Sequence, residues 1–426
     1  MTGRRLFIDL GPLRESPPFR RLWVGSSLSS IGSRMTGFAV ILQVFTLTHS
    51  SVAVGGVGLA IALPTVALGL FGGAVVDAFD RRRLVLGTTV ALAAVSAVFA
   101  AQAFAGVGQL WLLYGLVTVN SLLGAVSGPA RRTFLPRLLP AERIPAGAAL
   151  NLLVFHASTT VGPALAGVLT AVGGLKLCYL VDAISFAAAF YGVLGLPAMP
   201  PDGAASRPGA RAVADGLRFI RNSRVLAGAL LADLSAMVLG MPIALFPAIN
   251  AERFGGDPRT LGLLTAAPAV GGIVGSALSG SVGRVSRQGR AMLLAGAGWG
   301  AGLVGFGLAG SLWLALLLLG TAGVADVLAV VFRTAIVQVA TPDRLRGRVS
   351  AAEFVVGAGC PHLGNFRAGA IASLTSPAVS VVSGGLATVA GAAAIALALP
   401  ALTRYGAKPK DSPVRPGEPE PTELAT

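Results

Sequence analysis

Among the side chains able to carry charge inside long apolar runs, the candidates are Arg34, His156, Asp182, Asp233, Asp326 and Arg367. A charge in such a setting costs at least a few kcal/mol unless it is paired or hydrated, so each is a candidate for work. Arg34 lies 13 residues beyond Arg21, about 20 Å along a helix at 1.5 Å per residue. Asp182 and Asp233 each fall roughly two turns into their runs. Asp326 and Arg333 are seven residues apart and share one helical face. Two kinds of chemistry are open to this set. Asp233 and Asp326 can take up and release protons, with Arg34 as a positive charge that competes for them, or the group can hold a polar substrate. The plainer role is interhelical ion pairing, for instance Arg34 with Asp233. Histidine ordinarily changes charge near neutral pH, so His156 adds a further proton site or simply packs in the core or pore wall. Asn120, Asn365 and Gln43 suit hydrogen bonds between helices or contacts to a ligand.

A second constellation is the stretch Gly73-Ala-Val-Val-Asp77-Ala-Phe-Asp80-Arg81-Arg82-Arg83. It ends one apolar run, sets five charges in seven residues, and hands over to another apolar run at Leu84. Such a junction fits the boundary between hydrocarbon and water, as a tight turn between two membrane helices. Asp77 can face arginines and the N-terminal end of a neighbouring helix, where negative charge is favoured. Gly162-Pro163-x3-Gly167 forms a third motif: the proline breaks a helical hydrogen bond and the glycines permit close packing.

The elements that position these residues follow from composition. The 426 residues are 54% hydrophobic and 12% charged, with 57 glycines, against about a quarter charged in soluble domains. Such a chain cannot cover a surface with polar groups, so lipid is its solvent. Apolar runs long enough to span occur at 21–47, 53–76, 84–105, 110–130, 145–171, 175–197, 225–248, 260–283, 291–309, 312–332, 349–372 and 376–402. The pattern predicts an all-α membrane protein of twelve transmembrane helices in two six-helix pseudo-repeats. Its parts are an N-terminal arm (1–20), a first half (21–197), a linker (198–224), a second half (225–403) and a disordered tail (404–426). Of the 33 Lys and Arg, 28 fall in the arm, the linker, the tail and alternate loops, and three in the remaining loops. The positive-inside rule places both termini and the linker in the cytoplasm. The net charge of +15 therefore records topology, and nucleic acid is excluded as a partner. Cys178 and Cys360 stand far apart in apolar runs; no disulfide framework, metal spacing, Walker sequence or nucleophile constellation is present. The sequence thus predicts no enzyme, no metal and no cofactor. A polytopic receptor or membrane enzyme is the rival class, without an extracellular ligand domain or clustered interfacial ligands to support it.

The halves repeat. Arg132-Thr133 followed by Pro140-Ala141-Glu142-Arg143-Ile144 matches Arg333-Thr334 followed by Thr341-Pro342-Asp343-Arg344-Leu345, and Gly73, Asp77 and Asp80 correspond to Gly280, Arg284 and Arg287. Parallel six-span repeats characterise transporter halves. With Phe19-Arg20-Arg21-Leu22-Trp23, Ile31-Gly32-Ser33-Arg34-Met35-Thr36, Gly128-Pro129-Ala130-Arg131-Arg132 and Thr341 to Ser350, the chain resembles the major facilitator superfamily. Its nearest branch is that of bacterial enterobactin-exporter-like and multidrug-efflux-like members. The resemblance implies a conformational switch at Gly73, Asp77, Asp80, Arg81 and Arg82, with Asp77 locking one state of the cycle, and an antiporter-type packing motif at Gly162, Pro163 and Gly167. It departs from the family at Ala78, Asp80, Ser158 and Arg284, and the arginine often found within the fourth span is here Arg131, at its end. The implied activity is export of a small organic molecule (siderophore, drug or pathway product) by alternating access, with proton antiport. A uniporter or importer of the same fold is the alternative. The implied setting is a monomer in the bacterial cytoplasmic membrane, with protons, a small molecule and the lipid bilayer as partners.

Overall fold

The computed structural model describes residues 9–200, 210–280 and 285–406, and within these the side chains of 69–78, 210–212, 344, 351 and 355 are left aside. Asp77 and Gly73, and Arg284 of the second-half turn, therefore lie outside the described side chains, as does the tail beyond Gly406.

The described residues are helical throughout. The long helices are α1 (Pro17–Thr48), α2 (Ser51–Ala78), α3 (Arg81–Phe104), α4 (Leu110–Arg132), α5 (Ile144–Gly173), α6 (Leu175–Leu194), α7 (Arg224–Leu239, resumed at Phe246–Arg253), α8 (Pro258–Leu278), α9 (Gln288–Leu308), α10 (Leu312–Ala340), α11 (Arg346–Leu374) and α12 (Pro377–Ala398). Their starts are written locally. Ser16, Ser50, Asp80, Ser223, Asp257 and Ser376 are N-caps whose side chains accept a backbone N–H of the first turn. Pro17, Pro258 and Pro377 occupy first-turn positions where a missing donor costs nothing. At the end of α1, His49 takes a left-handed conformation with φ of 48° and returns its N–H to the Phe45 carbonyl.

Among the described residues, eleven helical segments have both the length and the apolar content to cross a membrane. The twelfth, α11, has 29 residues but carries Glu353, His362, Asn365 and Arg367 along its length. It is sheltered instead by its neighbours. Within the first half α6 packs on α1 and α3, and α2 and α3 pack on α4; within the second, α9 packs on α10 and α12, and α8 on α10. The halves join along α2–α11 and α5–α8, two seams that exchange under the pseudo-twofold relation of the repeats. All four seam helices hold an internal proline: Pro64, Pro163, Pro268 and Pro361. Each removes one ladder hydrogen bond and permits a bend.

Glycine sets how closely these helices approach, since apolar surface gains nothing by leaving lipid for a neighbouring helix. A Cβ at Gly167 would stand 2.6 Å from the Pro258 carbonyl oxygen, and one at Gly262 would stand 2.7 Å from that of Pro163. Gly55 meets Phe366 and Asn365 in the same way across the α2–α11 seam. Gly271 and Gly275 let α8 lie against the backbone of α10 at Gly320 and Val324. The glycine contacts of both seams sit toward the loops poor in Lys and Arg, beside Ser51 and Pro258.

Two features depart from the sequence expectation. The seventh span is not one helix: it breaks between Leu239 and Phe246, with a single 3-10 turn at Ile243–Leu245. The linker holds a helix, Ala210–Asn222, which sets Ile220 against Leu226, Val337 and Val349 of the second half.

Candidate functional site

A cavity of about 630 Å³ lies between the halves near the middle of the bundle. The first half lines it with Ser33, Arg34, Phe38, Asn120, Phe155 and His156, and the second with Phe246, Thr265, Trp299, Asp326, His362 and Asn365. It is thus apolar and aromatic with a few polar groups, the usual make-up of a small-molecule site.

The sequence-derived candidates separate on their partners. Arg34 reaches the cavity and lies with its guanidinium 5.5 Å from the centre of the Phe155 ring, in a cation–π arrangement. The expected pair of Arg34 with Asp233 does not form. Asp233 on α7 instead faces Arg333 on α10 at 3.1 Å, and Arg333 also approaches Glu353 on α11 at 3.6 Å. The reason is position: α1 and α7 belong to different halves, whereas α7, α10 and α11 meet inside one. The Asp233–Arg333 contact lacks hydrogen-bond alignment, so Asp233 Oδ2 and Arg333 Nε remain without hydrogen-bond partners. Asp326 shares a helix with Arg333 but opens into the cavity.

Asp182 is 1% exposed. Its carboxylate accepts hydrogen bonds from Thr36 at 2.7 Å, Ser96 at 2.8 Å and Ser33 at 3.5 Å, joining α6 to α1 and α3. Arg367 donates from Nη2 to the Leu239 carbonyl at the break in α7, while Asn365 accepts from the Ala244 N–H at 3.0 Å. Together they satisfy backbone groups that the interrupted helix leaves open, which hydrocarbon could not do. Gln43 forms a buried lattice with Gln102 and Tyr179. His156 lines the cavity beside Phe155.

The turn after α2 is clipped to the end of α6. Asp80 accepts from the N–H groups of Arg83 and Met199, both at 2.9 Å; the Arg81 N–H donates to the Met199 carbonyl and Arg82 to that of Leu194. Burial alone would raise the Asp80 carboxyl, but the Arg83, Met199 and Arg82 amides and the Arg83 charge together hold it below the usual carboxylate range. Gly162 and Pro163 lie against α1 and α8: a Cβ on Gly162 would meet the Arg34 Cβ at 2.5 Å, and the Pro163 carbonyl faces Gly262. Arg131 binds Thr89 at 2.8 Å and Ser26 at 3.4 Å, tying α4 to α3 and α1.

Sequence reasoning missed the Phe155 platform, the role of Glu353 as a second acid on Arg333, and the break in α7. Only the last left a local signal, Gly240-Met241-Pro242. The others depend on which helices become neighbours.

Two six-helix halves around an amphiphilic cavity give the architecture of the major facilitator type, and the family and relatives of the chain are membrane transporters. The chain belongs to the family described as transmembrane secretion effector, whose pattern it matches over residues 8–419. It is 26% identical over 426 residues to the Enterobactin exporter EntS of Citrobacter koseri, covering 98% of this chain and 100% of that protein. The corresponding protein of Shigella boydii is 25% identical over 416 residues, at 96% and 98% coverage. Among solved structures, the nucleoside transporter NupG aligns with a TM-score of 0.70 at 13% identity, covering 91% of this chain and 99% of its own. A bacterial homologue of the iron transporter ferroportin in an inward-facing state aligns with a TM-score of 0.66 at 16% identity, covering 91% and 99%. These two likenesses concern the fold.

Proposed function

We propose that the chain exports a small organic molecule across the bacterial cytoplasmic membrane by alternating access, driven by inward proton movement. The observation that carries this reading is one cavity shared by two halves that meet only through two proline-containing seams among their principal helix contacts. Such seams can rock without unpicking either half. Segments 21–197 and 225–403 act as the moving units, with both termini in the cytoplasm as the charge asymmetry requires. The glycine contacts toward the basic-poor loops support a state closed on the outer side. Export, and a siderophore as one cargo class, draw support from the relatives named as enterobactin exporters.

Coupling rests on the second half. Asp326 faces the cavity, and Asp233 shares one arginine with Glu353. Proton binding and substrate binding then bias opposite states, by no more than their differential affinities. Asp77 acts as the lock of one state, with Asp80, Arg81 and Arg82 holding its turn. Asp182, Asn365 and Arg367 hold the scaffold.

The test is flux in liposomes with an imposed pH gradient, using enterobactin and a set of amphiphilic drugs. Gradient-dependent flux is expected, falling at least about tenfold in Asp326→Asn, as for loss of a general proton carrier. Flux indifferent to the gradient, and unchanged in both Asp233→Asn and Asp326→Asn, rejects proton coupling while leaving a transporter.

A further inference from the structure

The cavity carries two opposite charges without a hydrogen bond or an ion pair, one on each wall. Arg34, on α1 of the first half, makes neither a hydrogen bond nor an ion pair; its guanidinium lies over the face of Phe155. Asp326, on α10 of the second half, likewise has no hydrogen bond or ion pair. Arg333, the cation nearest to it on its own helix, is held by Asp233 and Glu353. Both free groups are accessible from the cavity. The other sequence-derived charges are engaged: Asp182, which also borders the cavity, by three hydroxyls and Arg367 by a carbonyl.

We propose that the cavity selects a dipolar aromatic solute, with an acidic or acceptor group at Arg34, its ring by Phe155, and a cationic or donor group at Asp326. This rests on reading the cavity as the substrate site. A desolvated charge without a partner is costly, and closing the halves around a solute desolvates both. A solute with both ends answers both charges at once. A lipophilic cation answers Asp326 alone and leaves Arg34 stranded; a lipophilic anion does the reverse. Sites with buried polar groups reject ligands that leave them unpaired far more strongly than they reject small differences in apolar size.

The setting of Arg34 fits this role. Gly162 gives the space through which its stem passes between α1 and α5. Phe155 is 52% exposed, so its ring offers area to a ligand besides what it gives the guanidinium. A planar guanidinium also binds carboxylates through two parallel bonds, which a lysine ammonium does not. The direction of coupling agrees. A donor group at Asp326 competes with a proton for the same carboxylate, as antiport requires. An anion at Arg34 alone would hold that proton in place. His156 and His362 also line the cavity and supply hydrogen bonds to the solute between its two ends.

The test measures binding to purified protein in lipid nanodiscs at one neutral pH, without any gradient. The probes are norfloxacin (a zwitterion), tetraphenylphosphonium (a cation) and 2-naphthalenesulfonate (an anion). Norfloxacin is expected to bind at least about tenfold tighter than either, the ratio that one answered charge at about 1.4 kcal/mol provides. Arg34→Gln removes the preference over tetraphenylphosphonium, and Asp326→Asn the preference over the sulfonate. Equal affinity for the cation and the zwitterion, absence of saturable norfloxacin binding, or equal weakening of all three probes by Arg34→Gln overturns the proposal. A ligand-free measurement adds to this: unpartnered charges predict an unchanged or raised melting temperature for both variants. A fall beyond about 4 °C, more than 1 kcal/mol at this chain length, marks a structural pair and overturns it. Because binding is read without flux, the pattern stands or falls apart from proton coupling.

Discussion

At the scale of single residues, two carboxylates of one sequence type stand in opposite surroundings. Asp182 and Asp326 both interrupt apolar runs and both border the cavity, yet Asp182 is buried under hydroxyls of three partners and Asp326 has no hydrogen bond or ion pair. Asp182→Ala leaves the Thr36 and Ser96 hydroxyls without their acceptor, at about 1–3 kcal/mol. A clear drop in melting temperature is expected, with Asp182→Asn milder; an unchanged melt for Asp182→Ala returns this residue to the proton carriers. Asp80 gives a pH prediction. Its folded pKa lies below the ordinary value, so its clip on Arg83 and Met199 is fully present above that value and is lost only as pH falls through the folded one. Hydrogen exchange at the Arg83 and Met199 amides is therefore expected to show constant protection from mildly acidic to neutral pH, after correction for intrinsic rates. Asp80→Ala speeds both. Protection that changes near neutrality contradicts this sign.

At the scale of elements, the interrupted α7 depends on α11. Arg367 and Asn365 bind the Leu239 carbonyl and the Ala244 N–H that the break exposes. Arg367→Ala and Asn365→Ala each orphan one backbone group, costing about 1–3 kcal/mol, and Arg367→Lys restores part of the loss. Thermal melting in detergent reads the order. Equal stability in all three variants shows that water or lipid headgroups serve the break. The same α11 packs on α2 across the seam, and Asn365 also borders the cavity.

At the scale of the whole molecule, the proposed alternating access makes the seams the place where one face closes. Gly167→Leu places a side chain where the Pro258 carbonyl and Gly262 now stand and is expected to spread α5 from α8. Spin-label distances between the 174 turn and the 254–257 loop lengthen, while expression persists and flux falls. Unchanged distances discount the α5–α8 contact as a gate. Orientation is tested separately: a reporter active only outside the cytoplasm, fused after Arg404, is expected to be silent.

The apolar runs and the basic loops are local properties, and they are legible in the chain because a membrane helix must satisfy its backbone within itself. The list of intramembrane charges was equally legible, since lipid makes each one conspicuous. Tertiary structure alone decided their partners. Asp233 meets Arg333 and not Arg34, Asp182 meets three hydroxyls, and Arg367 meets a carbonyl across a helix break. Pairing is set by which helix faces come together within each half, and those contacts are fixed by glycine spacing and seam geometry far apart in sequence. Arg34 and Asp326 border the cavity in the same arrangement, on halves whose principal contacts are α2–α11 and α5–α8.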